Sequence, residues 1–232
     1  FALLGAVGWF SISRILPPDE QKNVEKERTP GLFAILGQLL RVRPAAGMLG
    51  FGFWIAIAND SLFVVYGAWF EQEFLVSIAT LGFSTVAIGA AELLGESGTA
   101  FFSDRLGLKK SIIIGTCCTS EAYLLLPFIG QNLSMAMVGM FFVFLAFEFT
   151  VVSSIPLIVE LMPKARATMM AGYFATSGVG RMIGVLIGGS LWLIGGITVV
   201  AWTAAAFTLL GLLFLFWGLH GWRQGELEGR TP

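Results

Sequence analysis

From residue 45 onward the chain is a succession of long apolar runs separated by a few polar positions. Six runs can be delimited, at 45–70, 77–102, 111–129, 133–161, 168–194 and 197–219. Each is close to or above the roughly 20 residues that a helix needs to cross a hydrocarbon core of about 30 Å. The connections, 71–76, 103–110, 130–132, 162–167 and 195–196, are short. Short connections force successive helices to lie antiparallel, so the pattern predicts an up-and-down bundle over 45–219. Upstream, residues 1–16 read as the tail of a preceding membrane helix that leaves the bilayer near Arg14. Residues 17–44 form a polar linker. Within it, 31–42 (GLFAILGQLLRV) is amphipathic, too short to span, and ends in the basic cluster Arg41-Val42-Arg43. That pattern predicts a helix lying in the membrane interface. Residues 220–232 form a polar tail.

Composition sharpens this picture. Charged residues are 12% of the chain and mean hydropathy is +0.81. A soluble domain carries about 25% charged residues, so too little polar surface exists here to coat a globule in water. The predicted fold class is an all-α membrane protein with six transmembrane helices. Because the chain opens with Phe1 inside an apolar stretch, we expect it to be the later part of a longer protein. Net charge is −1, which gives no bulk argument for nucleic acid.

The placement of charge is more informative than its sum. If the linker lies on one side, alternation brings 103–110, 162–167 and the tail to that same side. Arg14, Lys22, Lys26, Arg28, Arg41, Arg43, Arg105, Lys109, Lys110, Lys164, Arg166, Arg223 and Arg230 then fall there together. The opposite side has Glu71 and Glu73 and no basic residue. Positive loops stay cytoplasmic, so the linker and the C-terminus are expected in the cytoplasm and the bundle in the cell membrane. Cys117 and Cys118 are adjacent within an apolar run and have no metal-type spacing; no metal or cofactor is expected.

Six ionisable residues lie inside the predicted spans: Asp60, Glu92, Glu96, Glu121, Glu148 and Arg181. Each costs about 2.5–3.5 kcal/mol at a helix centre on insertion scales. Five acids face one base, so the surplus carboxyl groups must hold protons or face water. Such groups suit proton coupling. Glu92 and Glu96 are four apart and share a helix face, which Gly89, Thr99 and Ser103 extend into a polar stripe. Glu148 sits among Phe144, Phe147 and Phe149. In the fifth span Gly180, Gly184 and Gly188 recur every four residues, a small-residue stripe that lets another backbone approach closely. Arg181 lies beside that stripe. An unpaired buried charge is very costly, so Arg181 should pair with an acid on a neighbouring helix, Glu148 or Glu92 first and Asp60 as a further option.

Residues 100–110 read Ala-Phe-Phe-Ser-Asp104-Arg105-Leu-Gly107-Leu-Lys109-Lys110. The segment resembles the cytoplasmic loop signature of the major facilitator superfamily, GxLxDRxGRR, with Ala100 in place of the first glycine and Leu108 in place of the first basic residue. A second segment with Glu160, Pro163 and Arg166 resembles the E-x-x-P-x-x-x-R turn that precedes the eleventh helix of such carriers, with two residues in place of three between the proline and the arginine. The resemblance covers nearly the whole chain as helices seven to twelve, and is closest to bacterial arabinose-efflux-permease and drug-exporter types. It implies two inverted three-helix repeats, with spans one, two, four and five lining a central path and three and six outside. By that rule Asp60, Glu92, Glu96, Glu148 and Arg181 are path residues and Glu121 is peripheral. The 104–110 loop, with Asp104, Arg105, Gly107, Lys109 and Lys110, is expected to gate conformational switching. The implied partners are the bilayer, an N-terminal half of the same protein, protons and a small-molecule substrate.

The expected function is secondary active transport, proton-coupled antiport in the efflux direction. Uncoupled uptake, or a transporter-fold receptor or scaffold without transport, are the alternatives. The sequence has no HExxH, GxSxG or P-loop, and its single His220 lies in the tail, so neither an enzyme nor an ATP-driven pump is expected.

Overall fold

The computed structural model describes residues 9–11, 32–163 and 165–222, with backbone only for residues 32–35, 78 and 104. Expectations for 1–8, 12–31, Lys164 and 223–232, including most of the linker and tail, lie outside the described residues. Residues 9–11 are helical. The rest of the description concerns the unit from Phe33 onward.

Among the described residues this unit is helical throughout. Its elements are α1 (Leu32–Arg41), α2 (Arg43–Phe63), α3 (Tyr66–Phe74), α4 (Ile78–Leu106), α5 (Leu108–Ile129), α6 (Leu133–Leu161) and α7 (Arg166–Gly218). Local sequence explains the boundaries. A proline near its first position starts α2, where a missing N–H costs no helix bond. Ser77 caps α4 by accepting from the Thr80 N–H at 3.3 Å, and Asn132 caps α6 by accepting from the Met135 N–H at 3.0 Å. Gly107, at φ 84°, is the single residue between α4 and α5; a side chain there would be strained.

At 53 residues, α7 would be about 80 Å long if straight, at about 1.5 Å per residue. It is not straight. Gly195 and Gly196 are non-helical, with Gly196 at φ 59°. The contacts of its two arms, 166–194 and 197–218, give their directions. In the first arm Gly180, Gly184 and Gly188 meet Phe53, Ile57 and Ser61 of α2 in ascending order, so the two run parallel. In the second arm Gly211 meets Ile55 while Gly218 meets Gly47, so that arm runs antiparallel to α2. The glycine pair therefore turns the chain back on itself.

The other pairs follow the same logic. Gly95, Thr99 and Ser103 of α4 meet Leu145, Phe149 and Ser153 of α6 in parallel. α5 is antiparallel to α6, through Gly115 on Thr150 and Leu126 on Gly139. It is also antiparallel to the second arm of α7, through Lys109 with Leu219, Ser120 with Ala205 and Phe128 with Trp202.

Burial differs from that of a water-soluble protein at the helix contacts and on the exterior. Ser61, Ser111, Thr116, Ser153 and Ser154 are fully buried, whereas Leu193, Leu186, Phe83 and Phe101 are among the most exposed side chains. Small and hydroxyl residues at helix contacts and large apolar residues outside are the arrangement a lipid surround favours. By length and composition, four stretches are able to cross a membrane: Arg43–Phe74, Leu108–Ile129, Leu133–Leu161 and the folded Arg166–Gly218. α4 is 29 residues long but carries Glu92, Glu96, Asp104 and Arg105, and is not among them.

Three boundaries differ from expectation. The first run is two helices, broken at Val64-Val65, where the Val65 N–H bonds back to the Leu62 carbonyl in a tightened turn. Helix α3 extends into the expected loop because Trp69 and Phe70 are buried and meet the Phe74 ring, tilted and edge-on respectively. The 103–110 loop contracts to Gly107, because one residue at positive φ suffices to reverse the chain. Asp104 and Arg105 are thus in the last turn of α4, and Lys109 and Lys110 in the first turn of α5.

Candidate functional site

A cavity of about 440 Å³ opens between four helical segments. α2 lines it with Gly52, Ile55, Ala56, Asn59 and Asp60, α4 with Glu92 and Glu96, and α6 with Phe147, Glu148 and Val151. The first arm of α7 adds Tyr173, Phe174, Ser177, Gly178 and Arg181. All five charged residues singled out as path residues are therefore on one wall or another of a single space. α5 and the second arm of α7 contribute nothing to its lining.

Two close helix approaches build it. In the first, Gly180, Gly184 and Gly188 bring the arm of α7 against the α2 backbone. A Cβ on Gly184 would lie 2.7 Å from the Ile57 carbonyl oxygen and 3.2 Å from the Asp60 Cβ. With the backbones this close, Arg181 reaches across to Asp60, its Nε 3.2 Å from both carboxylate oxygens. This corrects the expected order of partners, in which Glu148 or Glu92 came first. The glycine stripe selects α2 as the nearest neighbour, and Asp60 is the acid that α2 presents there. The pair is lopsided: the Asp60 side chain is 9% exposed and that of Arg181 64%.

In the second approach, Gly95 of α4 admits α6, with the Leu145 carbonyl 2.6 Å and the Glu148 Cβ 3.1 Å from where a Cβ would stand. Gly95 lies between Glu92 and Glu96 in sequence, so the acid of α6 is delivered beside the two of α4. Their charges act on one another, and that of Arg181 acts on Glu148. The predicted polar stripe on α4 divides. Glu92 and Glu96 face the cavity. Thr99 and Ser103 are buried against α6, where Ser103 Oγ donates to Ser153 Oγ at 3.1 Å and the Thr99 and Ser153 hydroxyls are 3.4 Å apart.

In electrostatic content the cavity has four carboxyl groups and one guanidinium, which is committed through Nε. Asn59 also lines the cavity, but its Oδ1 is buried out of reach and has no partner among the described residues. Tyr173 and Phe174 are lining residues that sequence reasoning missed. A signal existed, since Tyr173, Ser177 and Arg181 recur every four residues on one face.

The other singled-out residues lie elsewhere. Glu121 is exposed beside Cys118 and Phe142, away from the cavity. Glu160 is in the last turn of α6, Pro163 in the α6–α7 connection and Arg166 at the start of α7. Lys109 Nζ donates to the Leu219 carbonyl at 3.0 Å, and Arg43 Nε to the Trp217 carbonyl at 2.9 Å. Cations on the last carbonyls of a helix complement its dipole; these two fasten α2 and α5 to the end of α7. Among the described residues no group of three or more His, Cys, Asp or Glu side chains could hold a metal ion.

An apolar exterior, a hydroxyl- and glycine-rich interior and a charged cavity between four helices define a multi-pass membrane protein. The model of the Major Facilitator Superfamily matches residues 48–230, and the chain belongs to that superfamily, whose members are membrane transporters. It is similar to an uncharacterized MFS-type transporter, YceJ, of Bacillus subtilis (strain 168), with 27% identity over 144 residues. That alignment covers 60% of this chain and 36% of the relative's length. No solved structure matches.

Proposed function

We propose that the chain is the C-terminal half of a proton-coupled secondary transporter of the cell membrane. It moves a small organic molecule by alternating access, with efflux the direction the loop resemblance favours. The observation that carries this reading is the cavity. Four carboxyl groups and one arginine, each costly in a bilayer, converge on it from four helical segments. Six crossings as two inverted repeats, α2–α5 and α6–α7, are supported by the strict alternation of helix direction. The second arm of α7 and α5 then form the outer support. An N-terminal half would face the open side of the cavity, in keeping with a relative much longer than the matched region. The one-sided distribution of basic residues supports a cytoplasmic linker and C-terminus. The turn at Gly107, flanked by Asp104, Arg105, Lys109 and Lys110, is the gate between inward- and outward-facing states.

Proton coupling is assigned to α4, with Glu92 as the carrier and Glu96 assisting. The test uses full-length protein reconstituted in liposomes. Glu92→Gln keeps the shape of the protonated acid but cannot release a proton. The variant should lose accumulation driven by a pH gradient and retain exchange down the substrate's own gradient. Unimpaired pH-driven accumulation would remove Glu92 from the coupling mechanism.

A further inference from the structure

Two apolar hollows on the outer surface share no lining residue with the charged cavity. One, of about 360 Å³, lies among Leu40 of α1, Leu49 and Phe53 of α2, Thr176 in the first arm of α7, and Phe214 and Trp217 in the second. The other, of about 280 Å³, lies on Leu213 and on the same Phe214 and Trp217, which are a wall common to both. The floor is a close helix crossing. Gly47 and Gly218 meet backbone to backbone, and the Phe214 ring lies where a Cβ on Gly50 would stand. Apart from the Trp217 indole, the lining holds one polar side chain, Thr176. Its hydroxyl donates to the Gly172 and Tyr173 carbonyls of its own helix, both at 3.0 Å. The walls therefore suit hydrocarbon.

One end of this groove is marked by charge. There Arg43 Nε donates to the Trp217 carbonyl at 2.9 Å, and the guanidinium carbon stands 5.6 Å from the centre of the Trp217 ring. These contacts fix an exposed arginine at the mouth. Arg41, also exposed, precedes it by two residues, and residues 32–59 and 194–222 contain no acid. From that end α2 runs ten residues to Phe53, about 15 Å at about 1.5 Å per residue. Half of a hydrocarbon core of roughly 30 Å is the same length, so the groove is one leaflet deep. A basic and aromatic rim over such a groove has the polarity profile of a phospholipid.

We infer that this groove holds one anionic diacyl phospholipid of the leaflet on the linker's side. Its phosphate lies at Arg43 and Arg41. A guanidinium has five N–H donors, of which Arg43 spends the Nε–H on Trp217, and arginine pairs with phosphate through parallel hydrogen bonds. The acyl chains lie on either side of Phe214 and Trp217, one in each hollow. Trp217 sits at the headgroup level, where indoles concentrate in membrane proteins. Apolar surface alone would accept any lipid. Two arginines select a headgroup of net negative charge over a zwitterionic one, whose own ammonium already offsets the phosphate. A lipid seated here would bridge α1, α2 and both arms of α7. The inference takes only the membrane location and the linker's side from the reading above, and holds whatever the chain transports.

The experiment is native mass spectrometry of the full-length protein, purified in detergent and mixed with equal amounts of phosphatidylglycerol and phosphatidylethanolamine, both palmitoyl-oleoyl. The protein should retain phosphatidylglycerol roughly tenfold or more over phosphatidylethanolamine, each arginine supplying about fivefold. Arg43→Gln and Arg41→Gln should each lower that ratio about fivefold. Arg43→Gln also removes an anchor of α7, so Arg41→Gln, at an exposed position, decides if the first variant does not fold. Single-chain lysophosphatidylglycerol should be retained more weakly than the diacyl lipid. Glycerophosphoglycerol, the headgroup without chains, should not displace it even in excess. Equal retention of phosphatidylglycerol and phosphatidylethanolamine overturns the inference. So does a preference that neither substitution changes, since the anion site then lies elsewhere. Displacement by the free headgroup, or equal retention of the single-chain lipid, shows that the hollows do not hold two chains and overturns it as well. No retained lipid at all means that another part of the protein, its N-terminal half or residues 12–31, covers the groove, and this too overturns the inference. None of these results decides the transporter reading, which stands or falls on flux.

Discussion

The glycine contact beside the Arg181–Asp60 pair is the most testable in the candidate site. Gly184 has the Ile57 carbonyl oxygen 2.7 Å from where a Cβ would stand, against an ordinary contact that begins near 3.4 Å. In Gly184→Ala the neighbour is backbone, which cannot swing aside as a side-chain tip can. α2 must therefore retreat by the difference, 3.4 − 2.7, or about 0.7 Å. Overpacking of this kind costs about 1–3 kcal/mol. The same retreat would stretch the Arg181–Asp60 contact from 3.2 Å to about 3.9 Å, beyond hydrogen-bond range. The control is Gly189→Ala on the same helix, where nothing of this chain lies within 4 Å of the new methyl. There the usual helix-interior preference for alanine applies, and stability should hold or rise by about 0.5–1 kcal/mol. Both variants are compared by thermal unfolding in detergent. Stability of Gly184→Ala equal to that of Gly189→Ala, with Arg181 and Asp60 still coupled, would refute the claim that this stripe sets the α2–α7 spacing.

Removing the charge pair one side at a time gives a second expectation. Arg181→Leu leaves the nearly buried Asp60 without its cation and should destabilise. Adding Asp60→Asn should recover part of the loss, with a coupling energy of about 1–3 kcal/mol in a double-mutant cycle. Ser153→Ala removes the hydroxyl that Thr99 and Ser103 share. Polar contacts between membrane helices average about 0.6 kcal/mol, so the loss in unfolding free energy should be below about 1.5 kcal/mol, while Ser153→Leu, at a fully buried position, should prevent close α4–α6 packing altogether. Gly107→Val places a β-branched residue at φ 84°, a conformation that costs about 1–3 kcal/mol. Turnover in proteoliposomes should fall while the order of substrate preference stays unchanged; a changed order would detach the turn from gating.

Much of the helical layout was legible because the membrane imposes a simple rule, a run of apolar residues closed by polar or glycine punctuation. The 133–161 helix and the Gly195-Gly196 reversal match that rule residue for residue. The break at Val64-Val65 was not legible. Neither valine is a helix breaker; the tightened turn is held by the burial of Trp69 and Phe70 beyond it, which is a tertiary effect. The contraction of the 103–110 loop was missed for the opposite reason, since charged residues were read as loop where they are the last and first turns of two helices. In the site, spacing on each helix showed which residues share a face but not which helices touch. That is why the Gly180–Gly184–Gly188 stripe and Arg181 could be picked out, while the choice of Asp60 over Glu148 depended on which helix the stripe admits.

The energetics of the cavity bear on whether it can ever be dry. Asp60 and Arg181 offset one another, but Glu92, Glu96 and Glu148 have no cation of their own. At about 2.5–3.5 kcal/mol each on insertion scales, the three would cost about 8–10 kcal/mol as lipid-facing charges. That is as large as the whole stability of an ordinary domain, about 5–15 kcal/mol. The fold answers this cost by position. Glu96 is exposed to the open side of the cavity, and Glu92 and Glu148 are half-buried. None is packed into an apolar contact as the neighbouring Thr99 and Ser103 are. A protein under no other constraint would replace such acids with leucine. Keeping three of them on facing helices, at a place that glycines hold open to one another's backbones, fits a space that is filled by turns with water, protons and a ligand.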